Sequence, residues 1–192
     1  MLITLTGGPG AGKTTLARAL AATAPEGRDV VLLHGDDYFV TDPATGVWRP
    51  DPRGVPRLDV GEPASLDWGH WERDVAAALR AGRTVVADGL FAATTTTGRA
   101  TPGRLDVFVD LDADLRLVRK IQRKCVQGGF PLDVLLRNYT EARRDAFLRH
   151  VEPLRDHCAL VVDGARPAEE NAGLVWAASD VATGRSGISR SE

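Results

Sequence analysis

The stretch Gly7-Gly8-Pro9-Gly10-Ala11-Gly12-Lys13-Thr14 constrains this chain more than any other part of it. It satisfies the GxxxxGK[ST] pattern, follows the apolar run Leu2 to Thr6, and opens an alanine- and leucine-rich segment. The pattern therefore sits in the strand, loop and helix context that gives it meaning. Glycine lets the backbone curl tightly enough for consecutive N–H groups to face phosphate oxygens, and the helix starting near Lys13 adds the positive end of its dipole. The implied ligand is a nucleoside triphosphate, cradled by Gly8, Pro9, Gly10, Ala11, Gly12, Lys13, Thr14 and Thr15. Lys13 would reach the terminal phosphates and the Thr14 hydroxyl would hold Mg²⁺. The plain alternative is a glycine-rich turn with a solvated lysine.

Such a loop belongs in a parallel sheet, and the rest of the chain has the matching rhythm. Short β-branched or apolar runs at Leu2 to Thr6, Val30 to His34, Thr84 to Asp88, Asp106 to Asp110 and Ala159 to Val162 alternate with helical patterns. Helices are expected at Lys13 to Ala24, Asp67 to Ala81, Asp112 to Cys125, Leu132 to Val151 and Ala168 to Thr183. This alternation predicts a three-layer α/β fold with a five-stranded parallel sheet. Residues 1–183 are expected to form a single domain. The polar stretch 184–192 reads as a mobile tail. Between Thr41 and Pro63, five prolines and several glycines argue against both a helix and a central strand, marking a long excursion. The threonine-rich tract Ala92 to Gly103 reads as a second exposed loop.

Composition narrows the function. A net charge of −2 and a pI near 6.1 leave no global basic field for a nucleic-acid backbone. No apolar run approaches the roughly 20 residues that span a bilayer. The amino terminus passes directly into a strand without a cleavable leader, so a cytoplasmic protein is expected. Cys125 and Cys158, with His34, His70, His150 and His157, form no zinc pattern, and both cysteines read as reduced packing residues.

Several acids fall at predicted strand ends, the edge where α/β proteins build their sites. His34-Gly35-Asp36-Asp37-Tyr38-Phe39 closes the second strand, and an aspartate there either accepts the proton of an attacking hydroxyl or caps a turn. Asp88, ending the third apolar strand, is the first candidate to support Mg²⁺, with Asp110 as the competitor. The helix from Asp112 carries Arg116, Arg119/Lys120 and Arg123 on one face. That face is either a lid over the phosphates, placed at about residues 119–135, or a solvated surface. Trp48, Trp68 and Trp71 offer stacking surfaces, although Trp68, Trp71 and Val75 share a helical face and at least one indole is expected in the core.

Taken together, these motifs resemble the uridine kinase family of P-loop kinases, the group that includes phosphoribulokinase, nicotinamide riboside kinase and pantothenate kinase. The resemblance rests on the phosphate loop, Asp36-Asp37-Tyr38-Phe39, Asp88-Gly89-Leu90-Phe91 and the run Val109 to Lys120, and covers roughly residues 1 to 165. It implies ATP- and Mg²⁺-dependent transfer to a small hydroxyl compound. By the same resemblance Asp36 is the catalytic base, Lys13, Arg119 and Arg123 stabilise the transferred charge, and Asp36, Tyr38, Asp67 and Trp68 lie around the acceptor. Asp67 reads equally as a ribose ligand or a helix cap. The family's base-reading hairpin before its third strand is absent, because Arg80-Ala81-Gly82-Arg83 leads straight into Thr84. Uridine or cytidine is the leading acceptor; nicotinamide riboside or another non-pyrimidine or specialised metabolite is the alternative. An ATPase or switch without a small-molecule acceptor is the reading from a different class.

Overall fold

A computed structural model describes residues 1–51, 54–99 and 103–184. The chain runs β1 (Leu2–Thr6), α1 (Lys13–Ala22), β2 (Val30–His34), β3 (Trp48–Pro50), β4 (Pro56–Leu58), α2 (Trp68–Arg80) and β5 (Thr84–Asp88). It continues through β6 (Arg104–Asp110), α3 (Ala113–Ile121), α4 (Leu132–Asn138), α5 (Arg144–His150), β7 (Leu160–Asp163) and α6 (Ala168–Ala182). Five of the strands form one parallel sheet in the order β2-β5-β1-β6-β7. β1 and β5 are buried along their whole length, as expected for strands covered on both faces.

Alternation along the strands divides the side chains between two helical layers. Ile3, Leu5 and Val86 pack with Leu16, Leu20, Val175 and Trp176 of α1 and α6. Leu2, Val85 and Ala87 face the other way, onto Trp71 and Val75 of α2. A smaller cluster of Phe91, Phe108 and Val151 seats the helical segment that ends near residue 150. The three-layer parallel architecture read from the sequence is the one observed.

Two predicted helices contain an extra residue per turn at one point. α3 continues into a π-helical turn at Gln122–Val126, and another, Tyr139–Arg143, joins α4 to α5. Such turns keep a helix continuous while shifting its faces. The Thr41 to Pro63 excursion is more ordered than its prolines suggest. β3 and β4 pair antiparallel, with Trp48 opposite Leu58 and Pro50 opposite Pro56. A two-stranded unit has free outer edges, where a proline's missing N–H removes no ladder bond. Pro52 lies outside the described residues.

The threonine tract also differs from the exposed loop expected of it. Thr95 is fully buried, accepts the Trp71 indole N–H at 2.8 Å and donates to the Ala92 carbonyl at 2.7 Å. The backbone N–H groups of Thr96 and Thr97 donate to the Glu72 carboxylate at 2.7 and 2.9 Å. Thr101 and Pro102 of that tract, and residues 185–192 of the expected tail, lie outside the described residues.

Candidate active site

The loop between β1 and α1 owes its shape to glycines at two positions in particular. Gly10 and Gly12 have φ of +87° and +107°, a region that side chains other than glycine's rarely enter. A Cβ on Gly10 would also stand 2.6 Å from the Arg116 carbonyl oxygen. Gly12 is the N-cap of α1 and its carbonyl accepts the Leu16 N–H, so the first turn of the helix points its free N–H groups at the loop. Lys13 folds back over this loop, its Nζ donating to the carbonyls of Gly7 and Gly8 at 2.8 and 3.0 Å. Burial lowers its pKa to about 8; Asp88 and Asp36 oppose the shift, while Arg116 and Arg123 reinforce it.

Around the loop opens a cleft of about 670 Å³. Residues 9–16 form its floor, and Asp36 and Asp88 contribute its two carboxylates. Just past β2 the chain passes close to the end of β5: a Cβ on Gly35 would lie 3.0 Å from the Asp88 carbonyl oxygen. That approach sets Asp36, on the short 3₁₀ turn Gly35–Tyr38, beside Asp88, which is 4% exposed. One wall is basic and is made by Arg119, Lys120, Arg123 and Lys124 from α3 and its π-helical turn. Lys120 has its pKa lowered by burial and then by Arg143, Arg123 and Lys124. Arg119 donates to the Gly164 carbonyl at 3.0 Å, which ties this wall to the loop after β7. Phe39, Val60, Gly61 and Leu90 also line the cleft.

Lys13, Thr14, Asp36, Asp88, Arg119 and Arg123 thus meet in one cleft, while other predicted site residues lie elsewhere. Asp110 is outside it, paired with Arg155 at 3.1 Å. Tyr38 is 7% exposed, its hydroxyl donates to Asp74 at 2.8 Å, and burial followed by Asp74 holds its pKa far above the usual phenol range. It is a core residue, because the 3₁₀ turn that presents Asp36 rotates the Tyr38 ring onto Trp71. Asp67 is the N-cap of α2 and accepts the His70 N–H at 2.9 Å. Trp68 stands beside Asp36 in a narrow crevice behind the cleft and donates its indole N–H to the Pro63 carbonyl. Trp71 is the indole in the core.

Arg116 also leaves the basic face assigned to it. Its Nε donates to the Leu111 carbonyl and its guanidinium lies 3.9 Å from the centre of the Phe147 ring. Other cleft residues had no local signal in the sequence. Arg143 and Arg166 come from distant segments, and Arg143 is held by Asp59, a buried carboxylate of the proline-rich excursion that also binds Arg49 at 2.6 Å. His34 reaches Asp88 from the neighbouring strand, with Nδ1 2.9 Å from Oδ2. Finding that pair from sequence requires knowing that β2 and β5 are adjacent.

The model of the Phosphoribulokinase / Uridine kinase family matches residues 60–169, and the Zeta toxin model matches residues 1–97, which include the phosphate loop. A protein named uridine kinase from Deinococcus deserti is 27% identical over 190 residues, covering 84% of this chain and 86% of its own length. Another from Halobacterium salinarum is 26% identical over 209 residues, covering 93% and 92%. Among solved structures, a gluconokinase from Sinorhizobium meliloti superposes with a TM-score of 0.57 at 21% identity, covering 93% of this chain and 94% of that one. Shikimate kinase from Acinetobacter baumannii in complex with shikimate gives 0.52 at 20%, covering 91% and 90%. These two establish a shared fold. With its phosphate loop at the head of a parallel sheet and more than half its length within that family's pattern, the chain belongs to the Phosphoribulokinase / Uridine kinase family and is a P-loop small-molecule kinase.

Proposed function

We propose that the protein transfers the γ-phosphoryl group of ATP to a hydroxyl of a small molecule, with Asp36 as the base. The observation that carries this reading is the placement of Asp36 in the same cleft as the phosphate loop, Lys13 and Asp88. The P-loop amides and Lys13 grip the phosphates, Asp36 takes the proton as the acceptor oxygen attacks in line, and Arg119 and Arg123 offset the charge spread over the transferring group. Residues 119–135 act as the lid and exclude water.

Mg²⁺ fits the donors present: the Thr14 hydroxyl and the Asp88 carboxylate are hard oxygen ligands lining the cleft floor. When bound, the ion supplies neutralisation of charge on the phosphates. The chain's own part is to hold those two oxygens in place.

Uridine or cytidine leads among acceptors, because the relatives from Deinococcus deserti and Halobacterium salinarum, which overlap most of this chain, bear the name uridine kinase. Tyr38 and Asp67 favour the other reading, a non-pyrimidine or specialised hydroxyl metabolite. Their polar groups are engaged with Asp74 and the α2 backbone, away from the cleft. A panel of nucleosides, nicotinamide riboside, sugars and hydroxy acids, incubated with enzyme, ATP and Mg²⁺, tests both. Acceptor-dependent ADP release supports the kinase and ranks the acceptors; equal release with and without every acceptor would replace it with an ATPase.

A further inference from the structure

The imidazole of His34 is the only side chain that hydrogen-bonds the Asp88 carboxylate among the described residues, and the sheet brings the two residues side by side. β2 and β5 are parallel neighbours with His34 directly opposite Asp88. Leu32 and Val86, each two residues earlier, both join the cluster on the α1 side, so His34 and Asp88 project from that same face. At the carboxyl edge the face opens onto the phosphate loop. Asp88 is 6% exposed in its side chain and His34 30%, so the imidazole covers the carboxylate from the outer edge of the sheet.

We infer that His34 is a positioning residue for the divalent cation. Its Nδ1–H holds Oδ2 of Asp88, fixing the rotation of the carboxylate so that the remaining oxygen capacity turns toward Thr14 and Lys13. Without this bond, Asp88 is free to rotate onto the Lys13 ammonium, for which it is the strongest of the neighbouring charges. A carboxylate captured by the lysine is lost to the metal, whereas the ammonium, with three N–H donors, still reaches the phosphates. This inference rests on the reading of Asp88 as the metal-side carboxylate. A partner that orients a ligand through one hydrogen bond commonly changes metal affinity about 10- to 100-fold when removed.

The test is direct binding of Mn²⁺ to the protein in complex with a non-hydrolysable ATP analogue, read from the loss of the free-ion electron paramagnetic resonance signal. His34→Leu is expected to weaken Mn²⁺ about tenfold, with metal-free affinity for the analogue unchanged. His34→Asn, whose amide N–H can occupy the place of Nδ1–H, is expected to restore it to within about twofold, a rescue that a purely structural role would not produce. Unchanged Mn²⁺ affinity in His34→Leu, or failure of His34→Asn to differ from it while both variants keep the wild-type circular dichroism spectrum, overturns the inference. Asp88→Ala separates the two levels. If it leaves Mn²⁺ affinity intact, the metal reading of Asp88 fails; if it weakens Mn²⁺ while His34→Leu does not, the role of His34 alone fails.

Discussion

Lys13 links the charge of the cleft to pH. In the nucleotide-free protein its pKa is lowered to about 8, with burial as the main cause. A bound triphosphate favours the ammonium, so binding raises that pKa and takes up a proton wherever the free protein has already lost one. ATP affinity is therefore expected to be flat below pH 8 and to fall as the pH rises through 8 to 9. Calorimetry at pH 8.5 in buffers of different ionisation enthalpy should show net proton uptake, and Lys13→Met should remove both the uptake and the slope. Asp36 lies on the other side of the chemistry. Asp36→Asn keeps the shape and removes the proposed proton acceptor, so turnover is expected to fall by about 10²–10⁴-fold. ATP affinity, read by calorimetry, should change by less than about threefold, because the phosphate grip belongs to the loop and Lys13. Wild-type turnover in this variant would take the base role away from Asp36.

At the scale of elements, the proline-rich excursion is fastened to the helical half of the molecule by its acids. Asp59, 3% exposed, binds Arg49 and Arg143 and accepts the Gly61 N–H at 3.1 Å, while Glu62 lies 3.2 Å from His150. Val60 and Gly61, between these acids, line the cleft. Asp59→Ala leaves two guanidinium groups without their shared partner, and stability is expected to drop by roughly 3 kcal/mol, read by urea denaturation. It should also expose residues 41–63 to limited proteolysis and raise the acceptor KM more than the ATP KM. Little of this element was legible beforehand. The central strands Leu2–Thr6 and Thr84–Asp88 can be read to the residue, because a doubly buried parallel strand is an uninterrupted apolar run ending where the site begins, and the edge strand Val30–His34 keeps enough of that pattern to be read as well. The β3–β4 hairpin escapes such reading, since its prolines signal loop and its anchors, Arg143 and His150, are some 85 residues away in sequence. The π-helical turns are equally silent, because one extra residue per turn leaves composition unchanged.

Over the whole molecule, the sheet and its two helical layers form a rigid support, and the basic segment from α3 through Val126 stands over the phosphate loop. The floor of the cleft was legible because one short motif fixes it, whereas the rest is assembled from the turn after β2, the excursion, the basic segment and α5, whose mutual placement no local pattern encodes. In that basic segment the charges repel: Lys120 is pressed by Arg143, Arg123 and Lys124, and of Arg119, Lys120, Arg123 and Lys124 only Arg119 has a side-chain hydrogen bond among the described residues, to the Gly164 carbonyl. A triphosphate in the cleft relieves this repulsion, so nucleotide should stabilise the segment far more than it stabilises the sheet. Hydrogen exchange measured with and without Mg²⁺-ATP analogue is expected to slow about tenfold or more across residues 119–126 and to change little in β1 and β5, whose amides already sit in the most stable part of the fold. Raising the salt from 0.1 to 1 M contracts the Debye length from about 10 to 3 Å. The ligand-induced slowing should then shrink, since part of the repulsion is screened before nucleotide arrives. Slowing of equal size in sheet and basic segment would mean that nucleotide stabilises the fold globally and that residues 119–126 do not close over it.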